Sequence, residues 1–132
     1  MNAENFLQSI YLGDRGCNKI LVDNYNCIIK LNIDLISRIR SPSGKWDFYN
    51  DENIEDGFIV FSSVKAMKWN STGLLPNDFV NYIEVTKKLN DGYFEFSINI
   101  GANTNGRSED VEIIITAREI FIETKDGNKI LE

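Results

Sequence analysis

Alternating apolar and polar residues fill most of this chain, and the alternation predicts β-strands. "CIIKLNIDLISRIR" puts Ile29, Leu31, Ile33 and Leu35 on one face and Lys30, Asn32 and Asp34 on the other, until the pattern slackens at Ile36. Ile33, Ile36 and Ile39 also fit a helical spacing, but the β-branched content assigns the segment to a strand. With "KILVD" before it, the segment frames the turn "NYN". That predicts a hairpin with a three-residue loop and Cys27 opposite Asp23. "FIVFSSV" and "KAMKWN" predict two further short strands, followed by the loop "STGLLPNDF".

The clearest hairpin signal is "FVNYIEVTKKLNDGYFEFSINIG". A two-residue turn at Asp91-Gly92 sets Leu89 opposite Phe94, Val85 opposite Ile98 and Ile83 opposite Ile100. Lys87 opposite Phe96 is the one mismatch in that register. "GANTNGRSED" reads as a polar loop. "VEIIITAREIFIETKDGNKIL" predicts another hairpin, turning at Ala117-Arg118, and a short last strand after Asp126-Gly127. This second hairpin joins Ile115 to Ile120 and Ile113 to Ile122, but it also brings Glu112 against Glu123, which is repulsive.

Only the first segment has helical spacing. Asn2 supplies the cap, Ala3, Phe6, Leu7, Ile10 and Tyr11 form one stripe, and Gly13 follows as the terminator. A helix so short is marginal alone and must dock on the sheet. The expected fold is mainly β: an antiparallel meander of about eight strands curled toward a barrel or sandwich, with one N-terminal helix. Residues 1–132 form a single expected domain.

Composition narrows function mostly by exclusion. An apolar fraction of 42% and a charged fraction of 26% are those of a globular chain. No run of about 18 apolar residues is present to span a bilayer, and "MNAENFLQSIYLGDR" lacks the features of a secretory leader. The expected compartment is the cytoplasm. The net charge of −6 opposes direct nucleic-acid binding and suits a basic protein partner. There is no histidine, so Ser-His-Asp and Cys-His catalysis and His-ligated zinc are excluded. Cys17 and Cys27 read as reduced thiols.

One segment draws functional attention. "WDFYNDENIEDGF", residues 46–58, holds five carboxylates and no basic residue among its aromatics. Asp51, Asn53 and Glu55 resemble the start of a calcium-binding EF-hand loop. The resemblance fails where the sharp bend needs glycine, at Asp56, and where a bidentate glutamate should close the site, at Ser62. A glycosidase pair needs two carboxyls at fixed separation in a cleft, which an acid-rich loop does not supply, even with Trp46, Phe48, Tyr49 and Trp69 available to stack a sugar. Arg38, Arg40 and Lys45 precede the acids and read as surface partners for them. What remains is partner binding: Trp46, Phe48 and Tyr49 as anchors, with Asp47, Asp51, Glu52, Glu55 and Asp56 as a charged rim. The alternative is a solvated loop pinned to the core by its aromatics. No cofactor, metal or catalytic residue is expected.

"NFLQSIYLGDRGC", "KILVD" and "DLISRIRSPSGKWDFYNDENIEDGFIVF", continuing through "LPNDFVNYIEV", resemble a family of short uncharacterised bacterial proteins, a domain of unknown function. The chain is also similar in plan to the all-β immunity proteins of bacterial polymorphic toxin systems. That resemblance implies a non-enzymatic protein that binds and neutralises a cognate toxin. The competing expectation is a small-molecule carrier using the concave face of a curved sheet or barrel.

Overall fold

The computed structural model describes residues 2–38, 53–70 and 73–131. Helix α1 (Ala3–Gln8) is followed by strands β1 (Ile10–Tyr11), β2 (Cys17–Asp23), β3 (Ile28–Arg38), β4 (Asn53–Ser62) and β5 (Ala66–Asn70). Then come β6 (Val80–Lys88), β7 (Phe94–Thr104), β8 (Arg107–Ala117), β9 (Glu119–Glu123) and β10 (Lys129–Ile130). All pairings are antiparallel, and the strands form two sheets. One runs β1-β3-β4-β9-β10, with β2 also on β3; the other runs β5-β8-β7-β6. The mainly β, antiparallel architecture with one short helix is thus as expected, with ten described strands, and the sheets do not close into a barrel.

The two sheets meet over one core. Leu31, Ile33, Ile59, Phe61 and Ile122 from the larger sheet join Phe96, Ile98, Ile100, Val111, Ile113 and Ile115 from the smaller, all at 0% exposure. Phe61 and Phe96 pack edge-to-face across the interface, centroids 5.1 Å apart. Each buried isoleucine contributes roughly 1.5–3 kcal/mol, more than any exposed ion pair in the molecule.

Several local expectations are corrected. The helix ends at Gln8, because Ile10 and Tyr11 leave it to pair with Arg38 and Ser37 of β3. Its cap is as read: Asn2 Oδ1 accepts from Asn5 N at 2.8 Å. The β2–β3 loop has four residues; Asp23 pairs with Ile28, and Cys27 sits in the turn at φ 57°. The β6–β7 turn is a 3₁₀ turn over Asn90–Gly92, with Leu89 N bonded to Tyr93 O at 2.8 Å. A register shift between Val85 and Lys87 then places Val85 opposite Phe96, and Lys87 opposite Glu95 as an ion pair at 3.6 Å. The bulge removes the mismatch by inserting one residue. "GANTNGRSED" is not a loop: β7 and β8 continue into it and turn at Asn105-Gly106, both with positive φ.

The largest correction concerns β8 and β9. They are not a hairpin. After Ala117 the chain passes through Arg118 into the other sheet, where β9 pairs with β4 and β10. Glu112 therefore never meets Glu123. Glu112 lies opposite Asn70 and Asn99, and Glu123 accepts a hydrogen bond from Lys30 Nζ at 2.7 Å.

Candidate functional site

Of the expected partner-binding residues, Trp46, Asp47, Phe48, Tyr49, Asp51 and Glu52 lie outside the described residues. Glu55 and Asp56 are described, and they belong to a strand. β4 begins at Asn53, so the stretch without strand character is shorter than the sequence suggests.

Local packing explains why acids occupy that strand. On β3 the buried residues switch from Ile29, Leu31 and Ile33 to Ile36 and Arg38; on β4 they switch from Phe61, Ile59 and Gly57 to half-buried Ile54. Both strands thus change their buried face near Asp34 and Asp56. Asp56 adopts φ 53°, a conformation that Asp tolerates better than most residues. Buried Asn32 secures it: Nδ2 donates to Asp56 Oδ1 and to Gly57 O, each at 3.1 Å. Asp34 is similarly engaged, accepting from Gly16 N at 3.0 Å and Asn18 Nδ2 at 2.6 Å. These carboxylates hold backbone in place. Among the described residues, no group of three or more His, Cys, Asp or Glu side chains is placed to hold a metal ion.

Arg38 is not a surface cation. It is fully buried, donates from Nη2 to Ser9 Oγ at 3.2 Å, and lies over the Phe6 ring at 5.4 Å. Arg40 and Lys45 lie outside the described residues.

A different surface gathers exposed apolar side chains. Among the described residues, β2 pairs only with β3 and β5 only with β8, so each leaves one strand edge open. The two edges flank a slot bridged at both ends by backbone hydrogen bonds. At one end Cys17 N donates to Asp78 O at 3.1 Å and Val80 N to Arg15 O at 2.8 Å; at the other, Val64 N donates to Cys27 O at 2.9 Å. Between these bridges lies a groove of about 340 Å³ lined by Ile20, Val22, Trp69, Leu75 and Pro76. A second hollow of about 270 Å³, lined by Ile29, Val64 and Met67, adjoins it through Val22. Val22, Trp69 and Leu75 are 53%, 44% and 77% exposed, unusual for such side chains to share one hollow.

The sequence pattern explains this arrangement. Ile20 and Val22 alternate with Lys19, Leu21 and Asp23, and Met67 and Trp69 alternate with Lys68, so both strands turn an apolar row inward. Trp69 stands opposite Ile113 and Met67 opposite Ile115, both core residues, yet among the described residues no partner strand covers the outer edge of β5. Cys17 lies at the slot's bridged end, where burial pushes its thiol up to about 11 and so disfavours the reactive thiolate. Trp69 was conspicuous in the sequence as an aromatic. Its convergence with Val22 and Leu75 was not visible, because nothing local brings β2 beside β5.

No helix of the described residues is long and apolar enough to cross a membrane. Compared with known families, the chain matches DUF6258, a family of unknown function, over residues 1–132, and it belongs to that family. No curated protein and no solved structure matches it.

Proposed function

We propose that the chain is a non-enzymatic protein-binding module that receives an extended segment of its partner in the slot between β2 and β5. The observation that carries this reading is the pair of open strand edges above an apolar groove. Strand addition satisfies the backbone groups of such an edge, and side-chain hollows select every second residue of the incoming segment. The interior offers less support for a small-molecule carrier, since facing side chains from both sheets fill it. The finer reading, an immunity protein that occludes a basic toxin, draws on the net charge of −6 and on the acid-rich residues 46–58.

The test is calorimetric titration of the purified chain with a candidate basic toxin domain. Val22→Glu and Trp69→Ala are expected to weaken binding at least tenfold while the melting temperature stays unchanged. Undiminished binding by both variants overturns the slot as the docking site. Charge reversal at Asp51 and Glu55 separately tests the acidic segment: unchanged affinity removes it from the interface.

A further inference from the structure

Each sheet ends in strands whose outer edges could accept another strand, and most of these edges are obstructed. β6 carries register shifts between Val80 and Tyr82 and between Val85 and Lys87, ends in Lys87 and Lys88, and packs against α1. β10 has two residues, and β5, as short as the regular part of β2, carries Lys68 at its centre, which a two-fold axis would set against itself. Bulges, lysines and shortness are the usual protections of an edge. β2 differs. Its one irregularity lies between Cys17 and Lys19, and Lys19–Asp23 then runs in unbroken register against β3. Leu21 is 44% exposed and Val22 53%.

The sequence of that regular stretch, Lys-Ile-Leu-Val-Asp, is complementary to itself when reversed. From this we infer that β2 pairs antiparallel with β2 of a second copy of the chain, about a two-fold axis at Leu21. In that register Lys19 falls opposite the partner's Asp23, Ile20 opposite the partner's Val22, and Leu21 opposite itself. The two-fold repeats each contact, as an isologous interface requires. Alternation keeps the faces consistent. Lys19, Leu21 and Asp23 share the outer face, where Leu21 neighbours Lys30, and Ile20 and Val22 share the groove face beside Trp69.

The charges at the two ends are available for this pairing. Lys19 makes no ion pair among the described residues. Asp23 is exposed and held in a fixed orientation, accepting from Asn26 N at 3.1 Å and Asn26 Nδ2 at 2.9 Å. Sliding the pairing by one residue would set apolar side chains against water on one face. Parallel pairing in the same register would put Lys19 against Lys19 and Asp23 against Asp23. The inference rests on the proposed reading of the slot as a strand-accepting site and gives its β2 edge a second occupant, a copy of the chain that competes with the incoming partner segment. An edge this short buries less than a standard interface, so the dimer is expected to dissociate in the micromolar range.

Sedimentation of the full chain over rising concentration tests the pairing. The wild type is expected to pass from monomer to dimer. Lys19→Asp should weaken the dimer at least tenfold, and Lys19→Asp with Asp23→Lys should restore it. Because Asp23 also holds the turn, a disulfide test stands beside the charge swap. In a Cys27→Ser background, Leu21→Cys should oxidise to a covalent dimer, whereas Asn70→Cys should not. A chain that stays monomeric to millimolar concentration overturns the inference, as does a dimer indifferent to Lys19→Asp or a failure of Leu21→Cys to cross-link. If the chain is monomeric while toxin-domain binding still depends on Val22 and Trp69, self-pairing falls and the docking reading stands. A Leu21-centred dimer whose toxin-domain binding ignores both residues gives the reverse result.

Discussion

The side-chain amide of Asn32 is bonded to Asp56, Nδ2 to Oδ1 at 3.1 Å, at the level where β3 and β4 both exchange the face they bury. One buried amide thereby ties an acidic residue into the sheet and bridges the two strands.

Removing that amide takes a hydrogen bond from Asp56 Oδ1 and a buried one from the Gly57 carbonyl. Asn32→Ala is expected to cost about 1–3 kcal/mol, read from urea denaturation. Gly57→Ala should be comparably harmful for a different reason: a Cβ there would lie 2.8 Å from Ile54 Cγ2 and 3.3 Å from the Glu123 carbonyl oxygen. Its cost should shrink in an Ile54→Ala background, since the two side chains compete for one space.

Lys30 and Glu123 form a half-buried ion pair, 29% and 17% exposed, between strands distant in sequence. A double-mutant cycle with Lys30→Met and Glu123→Gln is expected to give a coupling of about 1 kcal/mol. The coupling should fall with added salt, as partly exposed pairs do. A coupling of zero would mean that the carboxylate merely caps the strand end.

The buried Cys17 thiol links stability to alkaline pH. Its folded value is raised from 9.0 to about 11, mainly because burial disfavours the thiolate. Below the unfolded value both states are protonated and stability is intact. Between about 9 and 11 the unfolded chain releases the proton first, so stability falls as pH rises, by roughly 2–3 kcal/mol. Comparing unfolding free energies with Cys17→Ala across that window isolates the effect from other alkaline titrations; the variant should show a correspondingly shallower decline.

The two thiols should also differ in reactivity. Cys27 is exposed in its turn and Cys17 is buried, and both are free. A chromogenic disulfide reagent near neutral pH is expected to titrate one thiol in the native protein and two in guanidinium. Rapid reaction of both in the native state would show that the Arg15–Cys17 bridge to β6 opens readily.

Strands were legible from their alternation, because alternation reports which face is buried. It does not report which strand lies alongside. The isoleucines of β8 and β9 satisfy a hairpin as well as they satisfy two different sheets, and only the clash of Glu112 with Glu123 hinted at the second solution. The turn at Asn105-Gly106 carried its usual signal, masked by polar neighbours on both sides. The bulge near Thr86 left no mark in the pattern, since an inserted residue preserves composition. Arg38 reads as a surface cation, and only tertiary packing places it against Phe6 and Ser9. The slot is tertiary throughout: Val22, Trp69 and Leu75 come from three separate segments.

The passage from β8 to β9 through Arg118 has a kinetic meaning. β6, β7 and β8 are sequence neighbours and can zip by short-range closure, whereas β9 must find β4 across the whole of the intervening sheet. Loop-closure entropy makes the second event the later one. The β6, β7 and β8 part of the four-stranded sheet should therefore be largely formed in the folding transition state, with Phe96 and Ile113 at high φ-values and Ile59 and Ile122 at low ones. Substitutions on β9 would then shorten the lifetime of the native state while leaving the refolding rate nearly unchanged.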